Sequence, residues 1–130
     1  MSIDAAFGSH KLVAFVATSK PAMSRSFYRD TLGLRLVSED GFALVFDANG
    51  TMLRASIVKE LRPAGYTVLG WEVADIVATA QKLQHAGVPL ERFPGMGQDV
   101  HGIWRSPGGA AVAWFKDPDG NTLSITQFGT

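Results

Sequence analysis

Apolar residues along this chain fall into two successive series that repeat the same order of periods. In the first, from about Lys11 to Ile57, the run LVAFVA is short and rich enough in apolar residues for a buried strand. SKPAMSRSFYRDTLG then carries Met23, Phe27 and Tyr28 at helical spacing, which predicts a helix with Ser19 as its cap, Pro21 in its first turn and Gly33 as its stop. LRLVSE, FALVFD and TMLRASIV follow as strands. DANG joins the last two, and its Asn49-Gly50 pair favours a tight reversal with positive backbone angles.

The second series begins with YTVLGWEV as a strand and continues through DIVATAQKLQHAG as a helix. Ile76, Ala80 and Leu83 lie on one face of that helix, Asp75 is its natural N-cap, and Gly87 stops it. PLERF and a glycine-rich segment, PGMGQDVHG, lead to the strands HGIWRS, AAVAWF and TLSITQ. DPDGN connects the last two: Pro118 presets the first turn angle and Gly120 takes the left-handed position. The helix stop LG of the first series matches AG in the second, and FDANG matches FKDPDG with one residue inserted.

The chain therefore reads as one domain, 1–130, made of two βαβββ modules at about 11–57 and 66–128. Each module alone exposes a one-sided sheet, so the two must pair. The predicted fold is α+β: two modules forming a curved, roughly eight-stranded mixed sheet around a concave pocket, with helices outside.

Composition narrows the function. Twelve Lys+Arg balance twelve Asp+Glu, so no basic field exists to recruit a phosphate backbone, and nucleic acid is not an expected partner. The absence of cysteine excludes a disulfide framework, a thiolate nucleophile and Cys-ligated metal. MSIDAAFGSH has neither the basic start nor the apolar run of a signal peptide, and no stretch approaches the ~18 apolar residues of a membrane span. No membrane partner and a cytoplasmic location are the expectations. PGMGQDV lacks the third glycine of a dinucleotide fingerprint, since Val100 stands there. Glu39 and Asp40 read as a solvated reversal, not an acid/base pair.

The order of elements, with SFYRDTLGLRLV, EVADIVATAQKLQHAGV and AWFKDPDGNTLSI, resembles the vicinal oxygen chelate superfamily over nearly the whole chain. That superfamily includes glyoxalase I, extradiol dioxygenases and the fosfomycin- and bleomycin-resistance proteins. The resemblance implies a homodimer and a cavity that in the enzymes holds a divalent metal on His, Glu or Gln side chains. One ligand lies near the start of each module's first strand and one on its last strand. Carried onto this chain, those places fall on Val13, Arg54, Val68 and Ser124. Two valines, a guanidinium and a neutral hydroxyl do not supply the lone pairs such an ion requires, so no metal and no other cofactor is expected.

The three histidines offer no paired spacing. His10 is expected at the surface, and His85 suits a helix C-terminus. His101 adjoins the glycine-rich segment and Trp104.

If Arg54 points into the cavity, strand alternation sends Met52 and Ser56 with it, and Leu53, Ala55 and Ile57 to the back. Thr122, Ser124 and Thr126 likewise face inward, as do Val68, Gly70 and Glu72, with Trp71 behind. Candidate ligand contacts are thus Phe15, Met52, Arg54, Glu72 and Ser124, with His101, Trp104 and Trp114 at the edge. Arg54 either binds a polar or anionic ligand group or forms an internal ion pair with Glu72. The segment from Pro94 to Gly102 is either a lid or a passive connector. Three functions stay open: a metal-free small-molecule binder like the bleomycin-resistance branch, a metal-dependent lyase or dioxygenase, or a metal-free enzyme using Arg54 with Glu72 or His101.

Overall fold

The computed structural model describes residues 6–129. After a 3-10 turn at Phe7–Ser9, the first module contains β1 (Val13–Thr18), α1 (Pro21–Arg25), β2 (Arg35–Glu39), β3 (Ala43–Ala48) and β4 (Thr51–Ile57). The second contains β5 (Thr67–Glu72), α2 (Ile76–His85), β6 (Trp104–Arg105), β7 (Ala111–Lys116) and β8 (Thr122–Gln127). Each module forms its own four-stranded mixed sheet, ordered β1-β4-β3-β2 and β5-β8-β7-β6. The first strand of each lies parallel to its last, as a crossover through a helix requires. The eight strands thus divide between two sheets that meet only lightly at β1 and β5. Among the described residues no helix is long and apolar enough to cross a membrane.

The tight turns follow their sequences. Asn49 and Gly50 both take positive φ, at 52° and 90°, so DANG makes the reversal that its Asn-Gly pair favours. Asp75 caps α2 by accepting a hydrogen bond from the Ala78 amide at 3.1 Å, and Ile76, Ala80 and Leu83 are buried beneath it.

The first helix departs from its expected form. Only Pro21–Arg25 is α-helical; Ser26–Thr31 continues in the wider π register, with the Leu32 amide donating back to the Phe27 carbonyl. Lys20, not Ser19, is the residue at its N-cap, because the Ser19 amide and hydroxyl are both engaged by Asp119. Met23 is exposed, whereas Tyr28 is wholly buried and Phe27 packs beside it.

One continuous core runs through both modules. Leu44, Phe46, Leu53 and Ala55 of the first sheet join Ala113, Phe115, Leu123 and Ile125 of the second, with α2 above them. The expected alternation holds: the core takes Leu53 and Ala55, while Met52 and Arg54 face the other way. LVAFVA is buried on one side only, since Val13 and Phe15 remain exposed where Val16 and Thr18 do not. Apolar residues at every position from 12 to 17 give this strand two apolar faces, and the side that carries Val16 joins the core.

The DPDGN turn joins the modules. Asp117 accepts from the Tyr28 hydroxyl at 2.7 Å and from the Asn121 side chain at 2.8 Å, and Asn121 also donates to the Ala17 carbonyl. Asp119 accepts from the Thr18 hydroxyl (2.6 Å), the Ser19 amide and hydroxyl (both 2.8 Å) and the Ser24 hydroxyl (3.2 Å). Burial works against the Asp119 charge, but these donors outweigh it and hold the carboxyl below its usual range. A carboxylate whose folded pKa is depressed contributes stability above its unfolded pKa, about 3.9, and loses it as pH falls through the folded value. Wild-type stability is therefore expected to fall more steeply below about pH 4 than that of Asp119→Asn, as urea unfolding at stepped pH would measure. Parallel pH profiles would remove Asp119 from the acid limb.

Candidate functional site

The faces turned away from the core carry the candidate residues, and strand register fixes their neighbours. On the first sheet Val13 stands beside Met52, and Phe15 beside Arg54, which has Val45 on its other side. On the second sheet Ser124 lies between Gly70 and Trp114, and Glu72 stands beside Thr126. Trp104 and Trp114 approach with ring centroids 6.2 Å apart, and Phe93 meets Trp114 edge to face at 5.5 Å. Gly70 permits close approach here: a Cβ at that position would lie 2.9 Å from the Ser124 hydroxyl oxygen.

These residues form two groups, one on each sheet, and no hydrogen bond or ion pair joins the groups among the described residues. The first face is open: Phe15 keeps 59% of its surface exposed and Met52 43%. A depression of about 260 Å³ lies on it, bordered by Val13, Val37, Val45 and Met52 with Arg35 and Asp47 at the rim.

Arg54 is half-buried and has neither an ion pair nor a hydrogen bond among the described residues. The internal pair with Glu72 is therefore not formed. The arginine does influence Asp40, whose carboxyl is held below its usual range chiefly by the Phe42 and Ala43 amides and, to a smaller degree, by the Arg54 charge. Glu39 is taken by Arg25 in a two-pronged ion pair, with oxygens at 2.7 and 2.9 Å, so Glu39 and Asp40 do not act as a proton-transfer couple.

His101 does not join either group through any hydrogen bond. It sits in the turn after Asp99, whose Oδ1 accepts from the His101 and Ile103 amides at 2.9 and 3.0 Å. Burial opposes the Asp99 charge, while these two amides hold its carboxyl low. His10 and His85 are exposed.

The segment from Pro94 to Gly102 is braced at several points. The Arg92 guanidinium donates to the carbonyls of Asp99 and Val100 at 2.9 and 2.7 Å. Gln98 donates to the carbonyls of Glu91 and Gly102 at 2.9 and 2.8 Å, and accepts from the Phe93 amide at 2.7 Å. Three bonds through one side chain make Gln98 the central tie. Gln98→Ala is expected to speed amide exchange through residues 93–102 by roughly tenfold, equivalent to about 1.4 kcal/mol of local opening, with little change in global stability. Unchanged exchange would show that the segment holds its form without this tie.

The residues at the metal-ligand places can be tested against an ion. Val13 and Val68 offer no donor, Arg54 repels a dication, and Ser124 supplies one neutral oxygen, so this set does not fit. Nor do three or more His, Asp or Glu side chains gather elsewhere among the described residues in a way that could hold an ion.

Two members of the second face escaped the sequence reading. Lys116, which donates to the Thr122 hydroxyl at 2.8 Å, shares strand parity with Trp114 and could have been found from it. Phe93 lies in an irregular segment where no period signals its direction.

Comparisons with known proteins agree on the fold. The family model described as "Glyoxalase/Bleomycin resistance protein/Dioxygenase superfamily" matches residues 10–125. A bleomycin resistance determinant encoded on the transposon Tn5 superposes with a TM-score of 0.72 at 17% identity, covering 94% of this chain and 100% of that one. A lactoylglutathione lyase from Agrobacterium tumefaciens gives 0.71 at 17% identity, over 92% of this chain and 93% of that one. A member of the same superfamily from Sphaerobacter thermophilus gives 0.70 at 21% identity, over 92% and 97%. No curated protein matches the sequence significantly. At these identities the structural likeness establishes architecture and leaves the chemistry to the residues themselves.

Proposed function

We propose that this chain, which belongs to the glyoxalase/bleomycin resistance protein/dioxygenase superfamily, is a metal-independent binder of a small organic molecule and works as a homodimer. The observation that carries the reading is Arg54: a half-buried arginine, flanked by Phe15 and Val45 on an open apolar face, with no hydrogen bond or ion pair among the described residues. A planar fork of donors is suited to a carboxylate or a similar acceptor. Apolar walls with one directional cation are what an amphipathic or flat ligand requires. Trp104, Trp114 and Phe93 offer a second, aromatic surface on the other sheet.

The same exposure supports the homodimer. Val13, Phe15, Met52 and Val68 leave apolar surface on both sheets that a single chain does not cover, and a second copy would cover it while closing the ligand site. The metal-dependent reading is disfavoured by the missing donors. The metal-free enzyme reading is disfavoured because no hydrogen bond or ion pair among the described residues joins Arg54, Glu72 and His101 as an acid and a base.

Native mass spectrometry with elemental analysis of the purified protein tests the proposal. The expected result is a metal-free dimer that retains a small organic molecule. A stoichiometric transition metal, with activity lost on chelation, would overturn it.

A further inference from the structure

A cavity of about 280 Å³ opens on the helix-covered side of the second sheet, opposite the face that carries Gly70 and Ser124. Its floor is Trp71, Val73, Phe115 and Ile125. One wall is Thr31, Leu32 and Leu34, from the end of the π-helical turn onward; the other is the Thr79, Lys82 and Leu83 edge of α2. Trp71, which strand alternation places on the back of the sheet, is a partly buried wall of this space. For scale, an apolar cavity of roughly 150 Å³ accepts benzene, so this one suits a fused bicyclic ring or a ring with a short tail.

Its polarity is asymmetric. The Thr79 hydroxyl is engaged with the Asp75 carbonyl at 3.0 Å. Lys82 has no ion pair or hydrogen bond from its ammonium among the described residues. Glu72 borders the cavity from a strand position whose side chain the pleat turns to the opposite face, beside Thr126. Lys82 is the one cation among the residues that line the cavity. Water over such apolar walls makes few hydrogen bonds and is readily displaced. A single ammonium balances one negative charge, which favours a monocarboxylate over a phosphate dianion.

We propose that this cavity is a second ligand site, for a small aromatic monocarboxylate whose ring lies against Trp71 and Phe115 and whose carboxylate meets Lys82. It is separate from the Arg54 face and does not depend on the reading given to that face.

Amide NMR of the full chain, titrated to 1 mM with naphthalene-2-carboxylate and, separately, with uncharged naphthalene-2-methanol, tests the site. The expected perturbations lie at residues 31–34, 71–73 and 79–83. Lys82→Met is expected to weaken the carboxylate about tenfold and the alcohol little. Thr79→Phe, which fills the space from its exposed edge, is expected to abolish both sets of shifts while the protein stays folded. The proposal fails if shifts are confined to the strands around Arg54 and Ser124, or if none appear by 1 mM. It also fails if Lys82→Met affects both probes equally, or if these amides respond to protein concentration instead, which would mean that a second copy fills the cavity.

Discussion

Asp117→Ala is expected to lower the unfolding free energy by about 3–5 kcal/mol and the midpoint by roughly 10–20 °C, a large share of the stability of a domain this size. The carboxylate receives four donors: the Tyr28 hydroxyl, the Asn121 side chain, and the Asp119 and Asn121 amides at 2.9 Å each. Tyr28 is fully buried, so its hydroxyl would be left without an acceptor and without water. Burial, reinforced by the Asp117 and Asp119 charges, pushes that hydroxyl far above the usual tyrosine range, so it remains a donor throughout the working pH range. Loss of the two amide bonds loosens the turn that presents Asp119 to Thr18, Ser19 and Ser24, and the junction between modules weakens with it. Asp117→Asn keeps an oxygen for the turn but sets a donor against the Asn121 side chain, and an intermediate loss is expected. A double-mutant cycle with Tyr28→Phe checks the assignment, because removing the orphaned hydroxyl should make the pair less damaging than the sum of the singles. Strict additivity would show that Asp117 acts through the turn alone.

The same turn shows where sequence reasoning stops. DPDGN is legible as a reversal, because proline and glycine fix backbone angles locally. Its role as a junction is not, since the partners of Asp117 and Asp119 lie 89 to 101 positions away along the chain. The duplicate turn DANG differs in form as well as use: it is a two-residue reversal between Ala48 and Thr51 with Asn49 and Gly50 both at positive φ, whereas DPDGN spans Lys116 to Thr122 with Gly120 alone at positive φ, and Asp47 caps its own turn through the Gly50 amide at 3.1 Å and faces Arg35 at 4.0 Å. Two copies of a turn can thus diverge, one into a junction and one into a surface hairpin.

Alternation along β4 and β8 placed Leu53, Ala55, Leu123 and Ile125 in the core and left Arg54 and Ser124 on the other face. That rule worked because a strand has only two sides. It gave no warning about β1, where both sides are apolar, nor about β6, where HGIWRS contributes only Trp104–Arg105 as strand. The π register of Ser26–Thr31 was likewise invisible, because Phe27 and Tyr28 satisfy an α-helical pattern equally well. The choice between lid and passive connector for residues 94–102 was open in the sequence, because the bonds of Arg92 and Gln98 to nearby carbonyls have no periodic signature.

Arg54→Met is expected to leave the midpoint almost unchanged while weakening retention of the bound molecule by about 30- to 100-fold, or ~2–3 kcal/mol for a charged, two-pronged contact. The asymmetry follows from the surroundings of the side chain. Arg54 makes no ion pair whose loss would orphan a buried carboxylate, and Asp40, a carboxylate that its charge reaches, is an exposed residue anchored by backbone amides. Methionine also preserves an apolar stem at the strand position between Phe15 and Val45. Lys at this position keeps the charge and loses the fork, so partial retention is expected if geometry matters and full retention if charge alone suffices. Occupancy by native mass spectrometry, set beside thermal midpoints for the wild type, Arg54→Met and Arg54→Lys, separates the outcomes. A midpoint that drops with occupancy intact would make Arg54 a structural cation whose counter-charge comes from a second copy of the chain.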